Sequence, residues 1–233
     1  MKKKNRLVLI RHGESLWNQL NQFTGWTDVQ LSIKGKKEAL AAGKLLKKKN
    51  FFFDYCYTSV LQRAIHTLWI VLKEINQSWL PVKKTWRLNE RHYGKLQGLN
   101  KDSVIEKYGL ENIQKWRRSF KEIPPKMTDL QKLVIRSDNR YVNLENSEIP
   151  NSESLELTLL RILPFWEKVI FPKIQNNKNI LIVAHGNSLR ALIKYLSKLD
   201  EKSVYNLSVP TGIPIIYNID NSNISKEYKF LKN

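Results

Sequence analysis

The chain has 233 residues, 42% hydrophobic and 26% charged, a balance that fits a folded core and excludes a disordered or collagenous chain. Lys2-Lys3-Lys4 lead into only four consecutive apolar residues, Leu7-Val8-Leu9-Ile10, which is too few for a signal peptide or a ~20-residue membrane helix; the lone Cys56 supports neither an internal disulfide nor a cysteine zinc site. The net charge of +19 comes from 29 Lys but only 11 Arg, scattered along a chain that also holds 21 Asn and 21 Ile, so drift toward A/T-rich codons plus a locally basic site accounts for it better than a reader of nucleic-acid bases, which would favour Arg. A cytoplasmic protein with no nucleic-acid partner and no membrane association is expected.

In chain order, residues 7–10 read as a short buried strand and residues 55–59 as a second, followed by a helix over about 61–76. The stretch 100–150 is polar, contains Pro124-Pro125 and carries the basic run Lys115-Trp116-Arg117-Arg118. It reads as a lid insertion within a single 1–233 domain. Leu155, Leu159, Ile162, Leu163, Trp166 and Val169 recur at helical spacing after the turn signal Pro150-Asn151-Ser152. Pro164 falls inside that pattern and should kink or bound it. Residues 180–183 give a further buried strand, Leu189 to Leu196 a helical face, and residues 213–219 and 228–231 late strands. Short apolar strands alternating with helices predict an α/β fold, a mostly parallel sheet flanked by helices, with a helical or loop lid.

Gly-rich phosphate loops, His-Glu-x-x-His and Gly-x-Ser-x-Gly are all missing from the sequence. What stands out is an internal echo: each of two strands runs through one spacer residue into His-Gly-x-Ser, at His12-Gly13-Glu14-Ser15 and at His185-Gly186-Asn187-Ser188. A single histidine at a strand end is usually a hydrogen-bonded core residue. Two in the same context, where open α/β sheets bind ligands, point to function. The glycines and helix starts after them should aim free N–H groups at the site, and Arg11 adds a cationic fork, a setting suited to a phosphoryl group. A neutral imidazole there can attack phosphorus, whereas two histidines without clustered carboxylates are too few to hold a metal.

Arg11-His12-Gly13-Glu14-Ser15 resembles the defining motif of the histidine phosphatase superfamily. Phe23-Thr24-Gly25-Trp26, Tyr57-Thr58-Ser59 with Arg63-Ala64-Ile65-His66-Thr67, Leu88 to Gly94, Leu96 to Lys101, Trp116-Arg117-Arg118 and Ala184 to Arg190 narrow the likeness to the cofactor-dependent phosphoglycerate mutases, over residues 7 to about 217. The resemblance implies a mutase that interconverts 3- and 2-phosphoglycerate, is primed by 2,3-bisphosphoglycerate and needs no metal, and it allows a homodimer. It makes His12 the nucleophile, Arg11, Arg63 and His185 the groups around the transferring phosphoryl, and Glu90 the general acid and base, its pKa raised by nearby phosphate. Asn18, Thr24, Gly25, Gly186 and Asn187 would hold phosphoryl oxygens. Tyr93, Lys101, Arg117 and Arg118 would hold the substrate's carboxylate and distal phosphate. The alternative is a phosphatase, or a bisphosphoglycerate mutase or phosphatase, of the same superfamily; a carboxylate clamp at Lys101, Arg117 and Arg118 argues against it.

Plainer roles suit other residues. Ser15 and Ser188 read as helix caps, His66 and His92 as structural, Trp26 and Trp116 as packing. Asp138-Asn139-Arg140-Tyr141 stands where relatives usually have Asp-Pro-Arg-Tyr, which should alter only a loop. The sequence ends at Asn233, where many relatives continue into a tail over the active site, so some leakage of phosphoryl to water is expected.

Overall fold

Leu-, Ile- and Val-rich runs form the centre of a six-stranded sheet in the spatial order β3 (Val82–Lys84), β2 (Tyr55–Thr58), β4 (Ile180–Ala184), β1 (Asn5–Arg11), β5 (Ile215–Asp220) and β6 (Asn223–Phe230). The computed structural model describes residues 5–220 and 223–232; Lys2-Lys3-Lys4 and Asn233 lie outside them. β1 pairs with β4, β4 with β2, and β2 with β3, all in parallel. β5 and β6 add antiparallel pairings at the far edge, so the sheet is mixed though mostly parallel.

Helices cover both faces, as parallel strands buried on two sides require. Leu7, Leu9, Ile180 and Ile182 point to one side, where α7 (Leu155–Phe165) and α9 (Gly186–Ser197) supply Leu155, Ile162, Leu189, Leu192 and Ile193. Val8, Ile10, Leu181 and Val183 point to the other, against Ala42 and Leu46 of α2 (Ile33–Lys48) and Leu68, Val71 and Leu72 of α3 (Gln62–Glu74). α1 (Leu16–Gln19) is a single turn. α4 (Lys101–Tyr108), α5 (Leu110–Arg118) and α6 (Asp129–Arg136) fill the polar segment, and Val104 and Ile113 join Phe23, Tyr93 and Leu96 in a separate small core. α10 (Glu201–Asn206) is capped by Asp200.

Pro164 does not end its helix. α7 runs to Phe165, a π turn follows over Trp166–Ile170, and α8 (Phe171–Gln175) continues the same path. Proline removes one N–H from the i→i−4 ladder, and here a widened turn follows the gap in place of a break.

α2 is absent from the sequence-level expectation because its buried face is built from small residues. Gly35, Ala39, Ala42 and Gly43 face inward with Leu46, among lysines that face out. The small face permits close approach. A Cβ on Gly13 would stand 2.1 Å from the Gly35 carbonyl oxygen, and one on Gly35 would stand 2.0 Å from that of Glu14. The main chain after β1 therefore lies directly on the first turn of α2. Gly35→Ala should overpack this crossing and cost ~1–3 kcal/mol. A urea unfolding curve reads that loss as a lower midpoint; an unchanged midpoint would show that the crossing yields freely.

Candidate active site

The β1–β4 register ends with Arg11 opposite Ala184, and the His12 N–H donates to the Ala184 carbonyl at 2.9 Å. His12 and His185 therefore leave neighbouring strands at the same level. Their rings meet edge to face, with centroids 4.9 Å apart, and both are buried. His12 Nδ1 lies 2.6 Å from the Gly13 carbonyl oxygen. A carbonyl can only accept, so Nδ1 carries a proton, and in the neutral ring Nε2 then keeps its lone pair. Burial, reinforced by Arg63 and Arg11, holds the His12 pKa well below the usual imidazole range. Burial, Arg63 and His12 do the same to His185. Both rings are neutral. His185 Nε2 rests 2.8 Å from the hydroxyl of Ser59, which follows β2 directly.

Two arginines enter this space. Arg11 donates to the Val209 carbonyl at 2.8 Å, and Arg63 to those of Thr27 and Gly25, also at 2.8 Å. Burial lowers the Arg63 pKa to about 10. Nε of Arg11 and of Arg63 is buried without a hydrogen-bond partner among the described residues, as is Thr24 Oγ1. Gly25 has φ +52°, and a Cβ there would reach within 1.9 Å of Gln97 Oε1, which accepts the Trp26 N–H at 2.7 Å. Asn18 and Ser15 form a reciprocal cap on α1: Asn18 Oδ1 accepts the Ser15 N–H at 3.1 Å, leaving the Asn18 amide nitrogen as a donor.

Glu90 is buried nearby. Its Oε1 accepts the N–H of Arg91 at 2.8 Å and of Asn187 at 3.0 Å. A Cβ on Gly186 would stand 3.3 Å from Arg11 Nε and 3.6 Å from Glu90 Oε2, so glycine keeps this corner open between guanidinium and carboxylate. Adjoining it is a cavity of about 110 Å³ lined by Arg11, Tyr93, Arg117, Arg118, Gly186, Asn187, Arg190, Ser208 and Val209. The Tyr93 hydroxyl accepts from Arg91 at 3.0 Å and from the Asn187 amide at 3.1 Å. Lys101 lies outside this lining, where its ammonium donates to Asn21 Oδ1 at 3.2 Å; burial and Arg117 lower its pKa.

One expectation changes in part. Two N–H groups after the histidines are already taken: that of Gly13 donates to Thr67 Oγ1 at 3.1 Å, and that of Asn187 holds Glu90. Side-chain donors of Arg11 and Arg63 are left buried without a partner. Ser188 caps α9 from its third position, as the capping-box residue whose hydroxyl accepts the His185 N–H at 3.1 Å. His92 is structural, its Nδ1 accepting the Gly94 N–H at 2.9 Å, and Trp26 is buried against it. Arg140 of the 138–141 loop pairs with Asp138 and, at 2.6 Å, with Asp28.

Sequence reasoning missed Arg91, Arg190, Ser59 and Thr67. Arg190 was the readable one: it sits one helical turn after Asn187, whose Oδ1 it reaches at 3.0 Å, and it donates to the carbonyls of Arg117 and Arg118. Among the described residues no His/Cys/Asp/Glu group of three or more could hold a metal ion, and no helix is long and apolar enough to cross a membrane.

The family model for the histidine phosphatase superfamily (branch 1) matches residues 7–144 and 137–227. The chain is 56% identical over 228 residues to a 2,3-bisphosphoglycerate-dependent phosphoglycerate mutase of Blochmanniella pennsylvanica, covering 97% of this chain and 98% of that one. It is 57% identical over 226 residues to its namesake from Blochmanniella floridana, covering 97% of each. Among solved structures, a phosphoglycerate mutase from Bacillus anthracis superimposes with a TM-score of 0.67 at 25% identity, over 97% of this chain and 92% of that one.

The buried neutral histidines set a pH dependence. Burial holds His12 and His185 well below the usual range and pushes His92 down to about 3. Unfolded, each takes up a proton near pH ~6.5. Stability is thus complete above that pH and falls on acidification, by ~1.4 kcal/mol per pH unit for each ring once well below it. The urea midpoint should drop from pH 6.5 to 5, and His185→Gln should make the drop shallower. A flat profile would mean that these rings protonate in the folded protein.

Proposed function

The chain belongs to the histidine phosphatase superfamily, within it to the 2,3-bisphosphoglycerate-dependent phosphoglycerate mutases, and from that membership we propose how its residues interconvert 3-phosphoglycerate and 2-phosphoglycerate. The observation that carries the reading is the pairing of a neutral nucleophile with a separate cationic pocket. A simple phosphatase needs the first; only a substrate with a second anionic end uses both. The buried unpartnered donors of Arg11, Arg63, Arg91, Arg190 and Thr24 fit a ligand rich in anionic oxygens.

His12 Nε2 attacks phosphorus, an N–P bond forms and the P–O bond to the departing hydroxyl breaks. Nδ1 stays tied to the Gly13 carbonyl, which stabilises the positive charge the ring acquires. Arg11, Arg63 and neutral His185 offset charge on the equatorial oxygens, with Asn18, Thr24 and Gly25 at the rim. Positioning and electrostatics supply most of the rate in phosphoryl transfer. Glu90 gives the departing oxygen its proton and takes one from the hydroxyl that attacks phosphohistidine in the return step. Gly186 leaves it room, and the N–H groups of Arg91 and Asn187 fix its other oxygen. Arg117, Arg118 and Tyr93 hold the carboxylate and distal phosphate, with Lys101 at the outer edge and Asn187 toward the transferring phosphoryl. When bound, 2,3-bisphosphoglycerate supplies the phosphoryl group that primes His12. Residues 100–150 would serve as the lid over the substrate. A cytoplasmic setting suits this chemistry, and a homodimer is supported by Trp69 and Trp79, half or more exposed beside the open edge strand β3.

Conversion of 3-phosphoglycerate should need added 2,3-bisphosphoglycerate, and labelled bisphosphoglycerate should leave an acid-labile, base-stable phosphoprotein. His12→Ala should abolish both; labelling that persists in the variant would sink the assignment.

Glu90→Gln keeps the shape of the site and removes its proton carrier, so kcat should fall ~10²–10⁴-fold. Labelling of His12 by p-nitrophenyl phosphate, whose leaving group needs no proton, should fall far less. Equal losses with both donors would reduce Glu90 to a binding group.

A further inference from the structure

Glu90 sits in residues 86–92, a segment with one short 3₁₀ turn and no pairing into the sheet. Its main chain is held from behind by two buried side chains, Glu153 and Arg161, 2% and 8% exposed. Arg161 donates to Glu153 from Nε at 2.6 Å and from a terminal nitrogen at 2.9 Å. The same guanidinium donates to the carbonyls of Arg87 at 2.7 Å, Asn89 at 3.1 Å and Glu90 at 3.0 Å. Glu153 in turn accepts the His92 N–H at 2.8 Å. Trp26, with Arg161 5.7 Å above its ring, adds its indole N–H to the Glu90 carbonyl at 2.8 Å.

A buried ion pair is poor evidence of stabilisation, because desolvation of both charges offsets their attraction. This pair does something an apolar pair could not. It bonds five main-chain groups at and around Glu90, the carbonyls of Trp86, Arg87, Asn89 and Glu90 and the His92 N–H, in a stretch that has no sheet ladder to hold it. One planar fork reaches the carbonyls of Arg87, Asn89 and Glu90 at once, which a lysine ammonium cannot do. Neither side chain lines the cavity beside Glu90. We infer that Arg161, locked by Glu153, is the positioning residue that sets where the Glu90 carboxylate stands for proton transfer, an inference that rests on the role of Glu90 proposed above.

The partial reactions test it. Arg161→Lys should lower kcat for 3-phosphoglycerate at least ~10-fold with KM within ~3-fold, while labelling of His12 by p-nitrophenyl phosphate changes less than ~3-fold. In a Glu90→Gln background the same substitution should cost nothing further, since both changes act through one group. Equal losses with both substrates, or a full additional loss in the double variant, would overturn the inference. Glu153→Gln, which keeps the volume and breaks the lock, carries the same comparison if the lysine variant does not melt cooperatively; if neither folds, the pair is structural and the inference falls. A parent chain that labels with p-nitrophenyl phosphate yet fails to turn over 3-phosphoglycerate would instead overturn the proposed function.

Discussion

The parallel ladder between β1 and β4 brings two histidines, far apart in the chain, to one spot. Pairing Leu7 with Ile180 and continuing to Arg11 with Ala184 puts one imidazole beside the other. A slip of one residue would turn every side chain of β1 to the opposite face, exchanging Leu7 and Leu9 for Val8 and Ile10 in two different cores. The hydrophobic layers therefore enforce the alignment of the reacting groups. Packing and chemistry share one constraint.

That alignment concentrates positive charge in a region from which water is removed. Arg11, Arg63, Arg91 and Arg190 are gathered here with Glu90 in their midst, and each leaves guanidinium N–H groups without a protein acceptor. Burying such groups costs free energy unless an acceptor arrives. The site is built for oxygens that the ligand brings. The two histidines contribute by staying uncharged, since a protonated ring would add to the crowding and, at His12, lose its lone pair.

Much of this was legible from short motifs. The echo of His-Gly-x-Ser located both strand ends, and the apolar tetrads located their strands. What could not be read was which strands are neighbours, because nothing local to residues 7–10 or 180–183 encodes their pairing. α2 was hidden by its own solution to packing: glycine and alanine make a buried face that carries little hydropathy. Backbone donors after the histidines looked free because a sequence shows N–H groups but not Thr67 or Glu90 arriving to take them. Arg91 and Arg190 look like surface cations until the fold turns them inward.

The separation of the paired strands along the chain has a further consequence, in time. β1 finds its hydrogen-bonding neighbours only in β4 and β5, more than 160 residues downstream. At ~5–20 residues per second of synthesis, its apolar residues wait on the order of ten seconds or more before a partner emerges. Closing so long a loop also places folding among the slower, high-contact-order cases. The strand that leads into His12 is thus among the first segments made and among the last to be satisfied, and until then its unpaired edge is open to pairing with another chain.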